Sequence, residues 1–229
     1  MVFAKAPIPG LVKTRLIPTI GRQKATQLYR AMVTHSVDMA AACTVEHSDV
    51  QLWCTPDIHN QLFIDLQRQY ATSLHQQAGD DLGGRMYHAF QNALVDHEKV
   101  VILGCDCPVL STELIERALS ALENNQAVLA PAEDGGYVLL GLRKAVKGLF
   151  DGIAWGTSEV YAQTVERLLQ AGFTWEELPV QWDVDRPHDL LRLCRVFGDY
   201  ELHEKLRSVI TSLSLDREGD SAVRAANDT

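Results

Sequence analysis

KVVILGCDCPVL, residues 99 to 110, is the stretch on which the fold is read. Val100, Val101, Ile102 and Leu103 form a short continuous apolar run, which suits a strand buried on both faces of a sheet. Asp106 follows almost at once, where such a strand should end. The Pro108 ring biases Cys107 towards an extended conformation, so the turn is held open around the acid. Alternation in an extended segment points Cys105 and Cys107 away from Asp106, and both read as small buried packing residues rather than metal ligands.

The pattern continues outward in both directions. Val2, Phe3 and Ala4 open the chain as a short strand, with only Met1 to Ala4 ahead of a basic loop. From Arg22 to Cys43 the apolar residues Ala25, Leu28, Tyr29, Met32, Val33, Val37, Ala40 and Ala41 recur at helical spacing. Residues 50–55 read as a strand, 58–70 and 82–95 as helices, and Ser111 or Thr112 caps a further helix whose face is Leu114, Ile115, Ala118, Leu119 and Leu122. Two short strands flank Asp134-Gly135-Gly136, a helix runs over about 158–171, and Pro187 opens a last helical stretch. Strands alternating with helices predict a Rossmann-like three-layer α/β/α domain with a mostly parallel sheet covered on both faces. One domain is expected over residues 1–215, with a polar, disordered tail over 216–229.

Composition narrows the function. The 229 residues are 46% hydrophobic and carry a formal charge of -9. That balance argues against nucleic acid or an anionic membrane as partner, since phosphate neutralisation needs clustered Lys and Arg. No apolar window reaches the length of a membrane span and no signal-peptide layout opens the chain, so a cytoplasmic protein is expected. Five cysteines without CxxC spacing favour neither a disulfide framework nor a zinc site.

Ligands of open α/β sheets gather at the carboxyl ends of the strands, and four segments there are chemically unusual. KAPIPGLVKTRL, residues 5–16, brings Lys5, Lys13 and Arg15 together around Gly10, which suits a triphosphate but also an ordinary solvated loop. It is neither a Walker A loop nor GxGxxG. As an exposed loop it should tolerate Lys13→Ala or Arg15→Ala with little loss of stability. GDDLGGRM, residues 79–86, offers backbone N–H groups at a glycine-bearing helix start, or a simple turn capped by Asp80 or Asp81. In GCDCPVL, Asp106 faces the basic loop and is well placed to share a divalent cation with phosphate oxygens. PAEDGGYVLLGL, residues 131–142, contains a hairpin-type turn, and WDVDRPHDLLRL, residues 182–193, places Asp185 where it could cap a helix.

Together these residues resemble a known family. Phe3-Ala4-Lys5-Ala6-Pro7, Pro9-Gly10, Val12 to Leu16, Asp81-Leu82-Gly83, Arg85-Met86, Gly104, Asp106, Pro108, Glu133 to Tyr137, Trp155-Gly156-Thr157, Asp183, Asp185 and Pro187 occur in the order seen in the glycosyltransferase-like selenodomain-associated transferase 1 family, a family also catalogued as a domain of unknown function. More distantly the chain is similar to nucleotidyltransferases that make molybdopterin dinucleotides and to the guanylyltransferase acting on phospholactate. The resemblance implies the glycosyltransferase A, or nucleotide-diphospho-sugar transferase, fold. It implies a metal-dependent transferase with Mg²⁺ or Mn²⁺ held by Asp106 and by Asp183 or Asp185. Catalytic roles then fall to Lys13, Asp106 and Asp183, nucleotide binding to Lys5, Gly10, Lys13, Arg15, Asp81, Gly83 and Arg85, and acceptor binding to Asp134, Gly135, Gly136 and Trp155. The expected partners are a nucleotide or nucleotide-sugar and a small acceptor. Nucleotidyl transfer is favoured over glycosyl transfer because the loop is rich in cations and the motif is Asp-x-Pro rather than Asp-x-Asp; a nucleotide-binding protein without catalysis is the third reading.

Overall fold

A computed structural model describes residues 1–43, 49–196 and 203–213. The expected tail, 216–229, lies outside the described residues. The chain alternates as anticipated: β1 (Val2–Lys5), α1 (Ile17–Ala41), β2 (Gln51–Thr55), α2 (Gln61–Tyr70), β3 (Ser73–Gln76), α3 (Leu82–Ala93), β4 (Val100–Leu103), α4 (Thr112–Ala121), β5 (Ala127–Pro131), β6 (Tyr137–Leu142), α5 (Val160–Gln170), β7 (Trp175–Glu177), α6 (Pro187–Val196) and α7 (Glu204–Ser212). One seven-stranded sheet runs in the order β3-β2-β1-β4-β6-β5-β7. β6 is antiparallel to both of its neighbours, β4 and β5, while the other pairings are parallel.

Burial explains the pattern. Every residue of β4 and β5 is buried, as the apolar runs require. Val101 and Leu103 point into a core with Tyr29 and Val33 of α1, Phe63 of α2 and Ile115 of α4. Val100 and Ile102 point into the opposite core with Met86 and Phe90 of α3 and Leu168 of α5. A third cluster joins Leu28 and Met32 of α1 to Leu190 and Leu193 of α6 and to Leu206 and Ile210 of α7, with Trp182 and Val184 packed among them. This cluster brings the segment around Asp183 back towards the first loop. No described helix is long and apolar enough to cross a membrane.

Three local features refine the expectations. β1 is four residues long, as is β4, and pairs with β2 along its whole length. Gly21 has φ 78° and ψ 160° inside α1, a kink that only glycine adopts readily, so regular helix resumes at Arg22 where the apolar periodicity begins. β3 and β7 are additional edge strands that the sequence reading did not anticipate.

Candidate active site

The site is built at the carboxyl ends of β1 and β4. Beyond β1 the loop turns at Gly10 (φ 91°) and at Lys13, which adopts the left-handed conformation with φ 46°. Val12 and Leu16, both buried, anchor the loop on either side of Lys13. Lys5 closes it from outside by donating from Nζ to the Leu11 carbonyl at 3.0 Å. Between these anchors the Lys13 side chain runs inward and is only 3% exposed. Its ammonium lies 2.6 Å from Asp106 Oδ1 and donates to the Val184 carbonyl at 2.6 Å. The Val184 N–H donates in turn to the Asp106 carbonyl at 2.9 Å, so the loop, the end of β4 and residues 182–185 are tied at one point.

This geometry corrects the expectation of an exposed Lys13. Lysine burial is rare and requires pairing; here one carboxylate and one carbonyl supply it. Cys105 and Cys107 are buried as expected, and the Cys105 thiol reaches the Phe3 carbonyl at 3.1 Å.

Asp183 sits beside the same point. Burial pushes its carboxyl up to about 6, Asp134 and Asp106 push in the same direction, and Lys13 opposes them. The folded group therefore holds its proton more tightly than the unfolded one, whose ordinary value is 3.8. Stability from this group is fully present below about pH 4 and is lost as pH rises through about 6. In chelator, Asp183→Asn should accordingly be more stable than wild type at pH 7.5, and the difference should close near pH 4. Denaturant melts at the two pH values check this.

Arg15 and Asp185 form an ion pair at the rim, through Arg15 Nη1 and Asp185 Oδ2. The Asp185 carboxylate therefore does not cap α6. Asp189 does: its Oδ2 accepts from the N–H groups of Arg186 at 2.7 Å and Asp185 at 3.1 Å, as an acidic third helical residue reaching back does in a capping box. Asp189→Ala should lower stability by about 1 kcal/mol, whereas Asp185→Ala, breaking an exposed pair, should change it by less than about 0.5 kcal/mol. Chemical denaturation of the two variants compares them.

The β5–β6 turn forms the opposite wall. Asp134 Oδ1 accepts from the Gly136 N–H at 2.9 Å, and Tyr161 N–H donates to the Gly135 carbonyl at 2.9 Å. Gly135 has φ 89°, and a Cβ there would collide with the Ser158 carbonyl, so this turn and the start of α5 fit only with glycine. Arg15, Asp134, Thr157, Asp183, Arg186 and His188 line one cleft.

The second predicted segment is used differently. Asp81 caps α3 by accepting from the Gly84 N–H at 2.7 Å, and Arg85 Nε donates to the Gly79 carbonyl at 3.2 Å. A Cβ on Gly83 would lie 2.6 Å from Trp155 Nε1, so the indole rests directly on the helix start. Trp155 thus joins this segment rather than the turn at Asp134. Among the described residues, no hydrogen bond or ion pair links Asp81, Gly83 or Arg85 to Lys13, Asp106 or Asp183.

Sequence reasoning missed one brace. Arg192 of α6 forms a two-bond pair with Glu133, at 2.6 and 3.0 Å, while its guanidinium lies 4.4 Å over the Trp182 ring. Both ends stood in segments already singled out, but nothing in one sequence pairs residues 59 apart.

A divalent cation fits the donor set in part. Asp106 and Asp183 offer hard oxygen ligands, and the resident ammonium marks a place that favours positive charge. No group of three or more potential ligands converges among the described residues, so water and phosphate oxygens would have to complete the shell of any Mg²⁺ held there.

The fold and a 34%-identical relative make the chain a transferase of the nucleotide-diphospho-sugar transferase superfamily. A family described as "Uncharacterized protein conserved in bacteria (DUF2064)" matches residues 38–157, and the chain belongs to that family. A structure from Desulfovibrio desulfuricans G20, provisionally described as a nucleotide-diphospho-sugar transferase, is 34% identical, with 98% of this chain and 95% of that one covered and a TM-score of 0.79. At fold level, 4-diphosphocytidyl-2C-methyl-D-erythritol synthase from Anaerococcus prevotii DSM 20548 aligns over 86% of this chain and 95% of its own, with 13% identity and a TM-score of 0.57. A molybdenum cofactor guanylyltransferase of Shewanella frigidimarina is 53% identical over 38 residues, 17% of this chain; the match spans only 19% of that relative's length.

Proposed function

We propose that the protein transfers a nucleotidyl group from a nucleoside triphosphate to a hydroxyl or phosphate of a small acceptor, in a reaction dependent on Mg²⁺ or Mn²⁺. The observation that carries this reading is the convergence of Lys13, from a loop shaped by Gly10, with Asp106 and Asp183 near the end of β4. Asp106 and Asp183 would hold the metal, which supplies charge neutralisation for the phosphates. Lys13 balances charge at the same point, and Arg15 extends positive charge along the rim. The cleft between Asp134, Thr157 and His188 orients the acceptor, whose oxygen attacks the α-phosphorus while pyrophosphate leaves. Chemistry of this kind relies on positioning and electrostatics, so no nucleophilic side chain is required. The short molybdenum cofactor guanylyltransferase match supports it.

The Desulfovibrio relative favours a second reading, glycosyl transfer from a nucleotide-sugar. Products separate the two. With Mg²⁺, the four ribonucleoside triphosphates and a panel of small hydroxylated and phosphorylated acceptors, nucleotidyl transfer releases pyrophosphate. Release of a free nucleoside diphosphate from nucleotide-sugars, without pyrophosphate from any triphosphate, would replace it with glycosyl transfer.

A further inference from the structure

We infer that Lys13 is the resident cation of this site, and that in the nucleotide-free protein its ammonium holds the position a divalent cation takes only in company with a nucleotide. The inference rests on the metal-dependent reading above and adds an order of events to it.

Three observations carry it. The ammonium is fixed, because the left-handed backbone at Lys13 and the buried Val12 and Leu16 direct the side chain inward, where it is 3% exposed. It is bonded at 2.6 Å both to Asp106 and to the Val184 carbonyl, one from each of the two segments that supply the candidate metal ligands. Asp106 itself is 53% exposed, so the carboxylate is paired with the buried ammonium on one side and open to solvent on the other. Of the other cations nearby, Arg15 is engaged by Asp185 and Arg192 by Glu133, while Arg186 lines the cleft that Asp134 and Asp183 also line.

A lone divalent cation approaching Asp106 therefore meets a fixed positive charge a few ångströms away, and like charges at that separation repel strongly in a partly buried site. It must also compete with a half-exposed pair and leave the buried ammonium with the Val184 carbonyl but no carboxylate, which is costly. A bound nucleotide removes both obstacles. Its phosphate oxygens accept the hydrogens that Lys13 gives up and complete the metal's shell of oxygen ligands. Metal and nucleotide then bind cooperatively, with Lys13 as the element that couples them.

Binding of Mn²⁺ to the full chain, followed by electron paramagnetic resonance of the free ion, tests this with and without a saturating ribonucleoside triphosphate. Lys13→Gln keeps a donor for the Val184 carbonyl and removes the charge; Lys13→Met removes both. Without nucleotide, each variant should bind Mn²⁺ at least roughly tenfold more tightly than wild type, and the gain in Mn²⁺ affinity on adding nucleotide should shrink. If neither variant folds, wild type alone decides: Mn²⁺ affinity without nucleotide should be at least roughly tenfold below that with it, and equal affinities would overturn the inference. Mn²⁺ binding by wild type with nucleotide, left untightened in folded Lys13→Gln and Lys13→Met without it, would overturn the inference and leave the metal-dependent reading intact. Absence of Mn²⁺ binding by wild type under any triphosphate would overturn both.

Discussion

Lys13→Ala should lose about 2–3 kcal/mol of stability and most nucleotide-dependent transfer together. The stability loss follows from what the side chain leaves behind. The Val184 carbonyl loses its donor in a buried setting, an effect of about 1–3 kcal/mol. Asp106 loses its partner too, but it is half exposed and water compensates much of that term. In a chain of this length the melting temperature should fall by roughly 5–10 °C. Transfer should fall by about a hundredfold or more, the usual scale for removing one group that stabilises transferred charge. Arg15→Ala, which breaks only a rim pair, should leave the melting temperature within about 2 °C of wild type. Calorimetry with parallel pyrophosphate release separates the structural loss from the functional one.

The second large effect is expected at Asp106. Asp106→Asn keeps shape and an oxygen for the Lys13 ammonium but removes the charge that the ammonium and a divalent cation both require. Stability should fall by about 1 kcal/mol, a modest figure because the carboxylate is half exposed. Its partner is the buried Lys13, so removal of the charge does not act mainly by relieving repulsion from Asp134 and Asp183. Transfer should drop by about 10²- to 10³-fold, and Mg²⁺ should no longer add to the stabilisation that nucleotide provides. Thermal melts with nucleotide, with Mg²⁺ and with both, alongside initial rates, measure each part.

These effects depend on features the sequence displays unequally. The run at Val100 to Leu103 and the acid after it are legible because continuous apolar residues have few other uses, and the structure buries all four on the two faces of the sheet. The long helix is legible for the same reason, down to the residue at which Gly21 interrupts it. β3 and β7 were not legible. Ser73-Leu74-His75-Gln76 and Trp175-Glu176-Glu177 are short, half-exposed edge segments that take their strand character from a neighbour rather than from their own pattern. The site divides in a similar way. Asp106 stands out because of its place after a strand. The burial of Lys13 could not be read, since the usual location of a lysine is the surface and the groups that bury it lie 93 and 171 positions further along. For Asp183 and Asp185 the two-residue spacing left the roles open. In the structure their surroundings differ: Asp183 feels the charges of Asp134, Lys13 and Asp106, and Asp185 pairs with Arg15. Capping of α6 falls to Asp189, because the carboxylate best placed to reach back belongs to the third helical residue rather than to the acid before the helix.

Asp106, Asp183 and Lys13 are proposed to form one site at which a nucleotide and a divalent cation bind together. The most direct measurement is the melting temperature of the wild-type protein with a saturating ribonucleoside triphosphate alone, with Mg²⁺ alone and with both. At a hundredfold excess over the dissociation constant, linkage predicts about 2.7 kcal/mol of stabilisation. For at least one of the four triphosphates, the shift with both ligands should exceed the sum of the separate shifts. Purely additive shifts for all four, or a shift from Mg²⁺ alone as large as that from the pair, would contradict it.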